Sequence, residues 1–146
     1  LPLSLSLQPA IELAALGLTG FDTHVSMAPD EMAALGMAVW GIAESGSLIV
    51  HSGSETPILQ SFLPLHHMVV LREATLLAHL EDYAVLLAQA PPPRNAILIT
   101  GPSGTTDIEG TYVRGAHGPG FLHVILVATS AVAAGKDWTP QLSFGS

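Results

Sequence analysis

Between residues 66 and 127 the chain alternates short apolar runs with one segment of helical period, and this alternation restricts it to few folds. Met68-Val69-Val70-Leu71 is too short for a helix and reads as a buried strand. Leu76, Leu77, Leu80, Ala84 and Leu87 then recur at helical spacing, Glu81 and Asp82 lie off that face, and Pro91-Pro92-Pro93 stops the helix. Residues 96–100 and 122–127 read as two further buried strands, joined by a polar, Gly-rich segment. Strand, helix, strand in this order predicts a right-handed crossover and a largely parallel sheet with helices on both faces. The expected fold class is α/β.

The first half is less regular. Pro9, Ile11, Glu12, Leu13, Leu16 and Gly17 predict a short helix with Pro in its first turn and Gly past its end. The same grammar returns at Pro29, Asp30, Glu31, Met32, Leu35 and Gly36, and residues 12–17 and 31–36 nearly match letter for letter. Two copies are too few for a solenoid, which needs about three repeats. Val39, Trp40 and Ile42, then Leu48, Ile49 and Val50, predict two strands around a tight turn at Ala43-Glu44-Ser45-Gly46-Ser47.

Composition excludes several functions. Only 11% of the residues are charged and 49% are hydrophobic, against a usual charged share of about 25%, so the chain builds a core and is not disordered. The length of 146 residues suits one domain. Four basic residues against twelve acidic ones give a net charge of −8, which argues against a nucleic-acid partner, since a DNA contact neutralises roughly 6–10 phosphates. The absence of cysteine denies the sequence a disulfide, a thiolate zinc site or an iron–sulfur cluster of its own. No apolar run reaches the ~20 residues of a membrane span: His123, Thr129 and Ser130 interrupt 121–135, and His79, Glu81 and Asp82 interrupt 75–90. No signal peptide is visible at residues 1–7, and a cytoplasmic setting is expected. The chain begins with Leu rather than Met, so upstream residues are expected. The apolar excess suits a surface that meets such a segment, a partner or a second copy.

Two loops invite a ligand and are expected at the carboxyl ends of strands. The first, residues 100–110, offers Gly101 and Gly104 for close backbone approach and Ser103, Thr105 and Thr106 as hydroxyl donors. It reads either as an anion cradle or as a strand-to-helix turn capped by Ser103 or Thr105, with Asp107 and Glu109 complementing a helix dipole. It lacks the Lys and spacing of a nucleotide P-loop. The second loop, Gly115-Ala116-His117-Gly118-Pro119-Gly120, holds a histidine whose ordinary pKa suits proton transfer. Glu44 is either a solvated turn carboxylate or a general base at a cleft rim. The seven histidines show no helical metal-binding pair, and His66 and His67 point to opposite faces if extended, so no metal site is expected.

Taken together, the blocks 43–48, Leu63-Pro64 with His67, Thr100-Gly101-Pro102-Ser103 with Thr105 and Asp107-Ile108-Glu109, and His117-Gly118-Pro119 with 122–126 resemble the lactate utilisation (LUD) domain of the LutC/YkgG type, most clearly over residues 37–127. The resemblance implies one LUD-type domain across 1–146 that lacks N-terminal residues. The fold it implies is a three-layer α/β/α architecture with a mainly parallel sheet, similar to the sugar-phosphate isomerase and CoA-transferase group (NagB/RpiA/CoA-transferase-like). It further implies a subunit of a cytoplasmic system oxidising L-lactate to pyruvate, with iron–sulfur clusters in a partner protein and a small anion held by this chain. Catalytic roles then fall to Glu44, Asp107 and His117, and ligand contacts to Ser45, Gly46, His67, Gly101, Ser103, Thr105 and Glu109. Gly104 stands where most such domains carry a basic residue, and Gly120 where a charged one is common; Arg114 is a candidate substitute. A free-standing CoA-transferase-like or folate cyclo-ligase-like enzyme with Glu44 as nucleophile or base, and a ligand-binding module without chemistry, are the alternatives.

Overall fold

A computed structural model describes residues 3–53 and 56–128. In chain order the elements are β1 (Leu3–Leu7), α1 (Ile11–Ala14), β2 (Phe21–His24), β3 (Ala33–Met37), β4 (Trp40–Ile42), β5 (Ser47–Ser52), β6 (His66–Arg72), β7 (Leu76–Leu77), α2 (Leu80–Ala88), β8 (Asn95–Ile99), β9 (Gly104–Thr106), β10 (Tyr112–Arg114) and β11 (Phe121–Val127). Short 3-10 turns cover Ile58–Ser61 and Glu73–Thr75.

Five strands form one wholly parallel sheet in the order β11-β6-β3-β1-β2. Its two faces follow from the alternation of side chains along each strand. On one face Leu5, Leu35 and Val70 close around Leu13 of α1. On the other, Val69 and Leu71 of β6 meet Ala38 and Leu48, with Ile99 and Leu122 beside them. Leu48 and Ile99 belong to a second sheet, β7-β4-β5-β8, which folds back over the parallel one. The outer face of that second sheet carries Ile42 and Ile49, which pack on Tyr83 of α2, with Trp40, Leu77 and Leu87 around them. Gly41 is required where the layers approach, because a Cβ there would fall 2.6 Å from Leu71 Cδ2. β9 and β10 form a separate antiparallel hairpin.

The α/β class and the mainly parallel sheet are as expected, but the sequence elements reach them by another route. β6, α2 and β8 do not form one crossover unit, since β8 pairs antiparallel with β5 in the second sheet. The parallel neighbours of β6 are instead β3 and β11. α2 starts at Leu80, and Leu76 and Leu77 form a strand beside β4. The buried helical face is accordingly Tyr83 with Leu86 and Leu87, while Leu80 is 44% exposed. The near-repeat also divides. Residues 14–17 end α1 and enter a turn, whereas the matching residues 33–36 lie in the central strand β3, bonded on both sides. Two strand partners outweigh the weak local helix preference of so short a segment. The hairpin at residues 43–46 is as read, and its last residue needs glycine at φ +66°.

The part of the apolar stretch beyond residue 128 lies outside the described residues. Among the described residues no helix is long and apolar enough to cross a membrane.

Candidate functional site

The two loops do not share the placement expected of them. Residues 115–120 run into β11, which is parallel to β6, so His117 sits at the amino end of the parallel sheet and not at a carboxyl end. The 100–110 segment leads into the β9–β10 hairpin rather than a helix, so Ser103 and Thr105 have no helix to cap. What the structure does is join these loops. Ser103 N–H donates to Pro119 O at 2.8 Å, Gly115 N–H to Ser103 O at 2.9 Å, and His117 N–H to Ser103 Oγ at 3.3 Å. The strand exit at Gly101 takes φ +80°, a backbone turn that favours glycine.

The Glu44-Ser45-Gly46-Ser47 turn adjoins the same exit through hydroxyls. Ser45 Oγ and Ser47 Oγ lie 2.8 Å apart, and Ser47 Oγ and Thr100 Oγ1 2.6 Å apart. Three hydroxyl hydrogens serve two internal bonds, so one hydrogen is left to give to a further group. Ser103 Oγ accepts from His117 N–H, which likewise frees its own hydrogen for donation. His117 and Thr105 are exposed.

Glu44 has a defined task. Its Oε1 accepts the Leu80 N–H at 2.8 Å at the first turn of α2, and its Oε2 lies 2.9 Å from His79 Nδ1. The His79 imidazole, then the Leu80 N–H, hold the Glu44 carboxyl below its usual pKa; Glu44 in turn raises that of His79. Asp82 completes the cap by accepting His79 N–H at 3.0 Å. Sequence reading passed over His79 as a mere interruption of an apolar run; its position one residue before a helix carrying Glu81 and Asp82 was the available signal.

Asp107 closes the β9–β10 hairpin, its Oδ1 accepting from Glu109 N–H at 2.9 Å and Thr111 N–H at 2.8 Å. Glu109 is exposed at the hairpin tip. Across the hairpin Arg114 pairs directly with Gly104, and its guanidinium lies 4.9 Å from the Phe121 ring centroid. The Tyr112 ring fills the space above Gly104: a Cβ there would come within 2.6 Å of its Cζ. With glycine there, the ring takes the place a side chain on residue 104 would occupy.

His66 and His67 do point to opposite faces. His66 stacks on Phe121, centroids 4.5 Å apart, and its Nδ1 lies 3.3 Å from His123 Nε2. His67 is 3% exposed in the interior, and burial pushes its pKa down to about 4. It belongs to a neutral polar cluster that sequence reading missed. Gln60 Nε2 donates to Ser6 Oγ at 3.3 Å, and Gln8 receives Met37 N–H at 2.8 Å while donating to Thr56 Oγ1 at 3.0 Å. Gly36 sits among them, its missing Cβ 3.0 Å from Gln8 Oε1 and 3.9 Å from His67 Nε2. The hydrogen bonds that join the 103 and 115–119 loops do not involve His67. No group of three or more metal-ligating side chains occurs among the described residues.

The sequence pattern of the LUD domain matches residues 32–127, more than half of the chain. The chain belongs to the LUD domain family. It is 33% identical over 101 residues to the uncharacterized protein YkgG of Escherichia coli strain K12, covering 66% of this chain and 44% of that one. It is 32% identical over 92 residues to Lactate utilization protein C of Anoxybacillus flavithermus, covering 61% and 41%. The chain therefore spans less than half the length of these curated relatives. The crystal structure of a DUF162 family protein from Deinococcus radiodurans superposes with a TM-score of 0.61 at 17% identity, over 86% of this chain and 74% of that one. At that identity the likeness speaks for the fold.

Proposed function

We propose that this LUD chain is part of a LutC-type lactate utilisation protein, working in a cytoplasmic system that oxidises L-lactate to pyruvate, and that its loop shelf holds a small carboxylate anion. The observation that carries the reading is the convergence of sequence-remote blocks: the Ser45–Ser47–Thr100 hydroxyl chain borders the same strand exit that leads to Ser103 and His117. The Ser45–Ser47–Thr100 chain retains one hydrogen to donate and Ser103 another, the chemistry a carboxylate accepts. Arg114, opposite Gly104 and next to the Gly115 that bonds Ser103, supplies the nearby cation. The Glu44 charge is offset by His79 and the α2 amino end, which reduces its repulsion of an anion.

Oxidising lactate to pyruvate releases two electrons and two protons. The given 146 residues hold no cysteine for a thiolate-ligated cluster, and a partner iron–sulfur protein would supply the electron acceptor. Acyl transfer through Glu44 would require that carboxylate to leave His79 and Leu80, so the geometry favours the subunit reading over a free-standing transferase. Affinity capture of the tagged chain, co-expressed with a Cys-rich iron–sulfur protein of a lactate utilisation system, tests this. Stoichiometric co-elution with lactate-dependent cluster reduction is expected, and a chain that elutes alone overturns the reading.

A further inference from the structure

α2 and the outer face of the second sheet flank a half-open pocket of about 170 Å³. Trp40, Leu86, Leu87 and Ala90 form its apolar walls, and His51, Tyr83 and Gln89 its polar side. His51 Nε2 and Tyr83 Oη lie 2.9 Å apart, with the rings tilted 51° to one another. None of these residues belongs to the Ser103–His117 shelf, and the proposed function leaves them unused.

Size, polarity and charge each narrow what fits. A dry cavity of about 150 Å³ admits a benzene-sized molecule, so this pocket has room for about one six-membered ring. No charged side chain lines the walls, and burial favours the neutral forms of both His51 and Tyr83. A carboxylate or ammonium placed on the His51–Tyr83 side would shed part of its hydration with no counter-charge in return. The His51–Tyr83 pair, by contrast, serves a neutral polar group of either kind. If Tyr83 donates to the imidazole, its oxygen can still accept a hydrogen bond; if the imidazole N–H donates, the phenol hydrogen is left to give. Trp40 provides an aromatic wall against which a ring packs offset or edge to face.

We infer that this pocket is a second binding site, for a neutral single-ring aromatic compound bearing one hydroxyl or carboxamide, with the ring beside Trp40 and the α2 leucines and its polar group on the His51–Tyr83 pair. Calorimetric titration of the full chain with phenol, benzamide and benzoate tests it, with the Trp40 indole N–H signal, assigned through Trp40→Phe, as site marker. Phenol and benzamide saturate one site and move that signal, and benzoate binds at least about tenfold more weakly. Tyr83→Phe weakens phenol about three- to tenfold, the worth of one neutral hydrogen bond. Leu87→Trp and, independently, Ala90→Leu fill the space and abolish binding while far-UV circular dichroism is retained. Should Leu87→Trp fail to fold, Ala90→Leu decides. Absence of saturable phenol binding, equal affinity for benzoate, or binding that survives a folded space-filling variant overturns the inference.

Discussion

Ser103 Oγ accepts the backbone N–H of His117 at 3.3 Å, tying together two loops fourteen residues apart in sequence. Ser103→Ala removes that acceptor and leaves only the backbone bonds to Pro119 and Gly115. The bond is exposed, so stability falls by no more than about 0.5–1.5 kcal/mol. Amide exchange at His117 rises, while exchange in the β3 and β6 core is unchanged.

Gly104 and Tyr112 form one packing unit. Gly104→Lys drives the Tyr112 ring away, because the new Cβ occupies the space of its Cζ and Oη. The displaced ring is the exposed end of a flexible side chain, so the cost stays near 1 kcal/mol. Tyr112 ring proton shifts in NMR spectra move toward random-coil values, and a Tyr112→Ala background removes the effect.

The buried His67 imposes a pH dependence on folding. Its folded pKa of about 4 lies below the ordinary 6.5, so between those values the unfolded chain binds more protons. Stability therefore falls as pH drops from about 6.5 toward 4 and levels off below, with a total of about 3 kcal/mol for this group. Urea titrations of the native chain and of His67→Gln, run from pH 7.5 to 4, show a shallower slope in the variant.

The Glu44–His79 pair acts at the opposite limits. The raised pKa of His79 makes its contribution present at low pH and lost as pH rises through the folded value. The lowered pKa of Glu44 makes its contribution present at higher pH and lost as pH falls through the folded value. The pair thus supports the α2 amino end in the window between the two. Glu44→Gln keeps a weaker cap through its amide oxygen, whereas Glu44→Ala loses it and increases exchange at Leu80, measured by amide hydrogen exchange across that window.

How much of this was legible in sequence varies with how local each cause is. The β4–β5 hairpin, the β6 and β11 strands and the opposite faces of His66 and His67 follow from alternation and from a glycine-bearing turn, all local. β3 was not legible, because residues 33–36 repeat the letters of 14–17, where α1 ends, and only its neighbours β1 and β6 decide for strand. The start of α2 shifted because Leu76 and Leu77 pair with Gly41 and Ile42, a contact of long range. In the site, Gly101, Ser103 and His117 were readable as loop chemistry. The helix-capping of Glu44, the hairpin closure by Asp107 and the Gln8–Gln60–His67 interior depend on which elements meet.

The anion claim is tested most directly by titrating the isotope-labelled chain with L-lactate and with pyruvate and following amide and hydroxyl-bearing residues by NMR. Saturable shifts at Ser45, Thr100, Ser103 and His117 are expected, weakened by Arg114→Gln. Shifts confined to other regions, or none up to high millimolar ligand, would contradict the account.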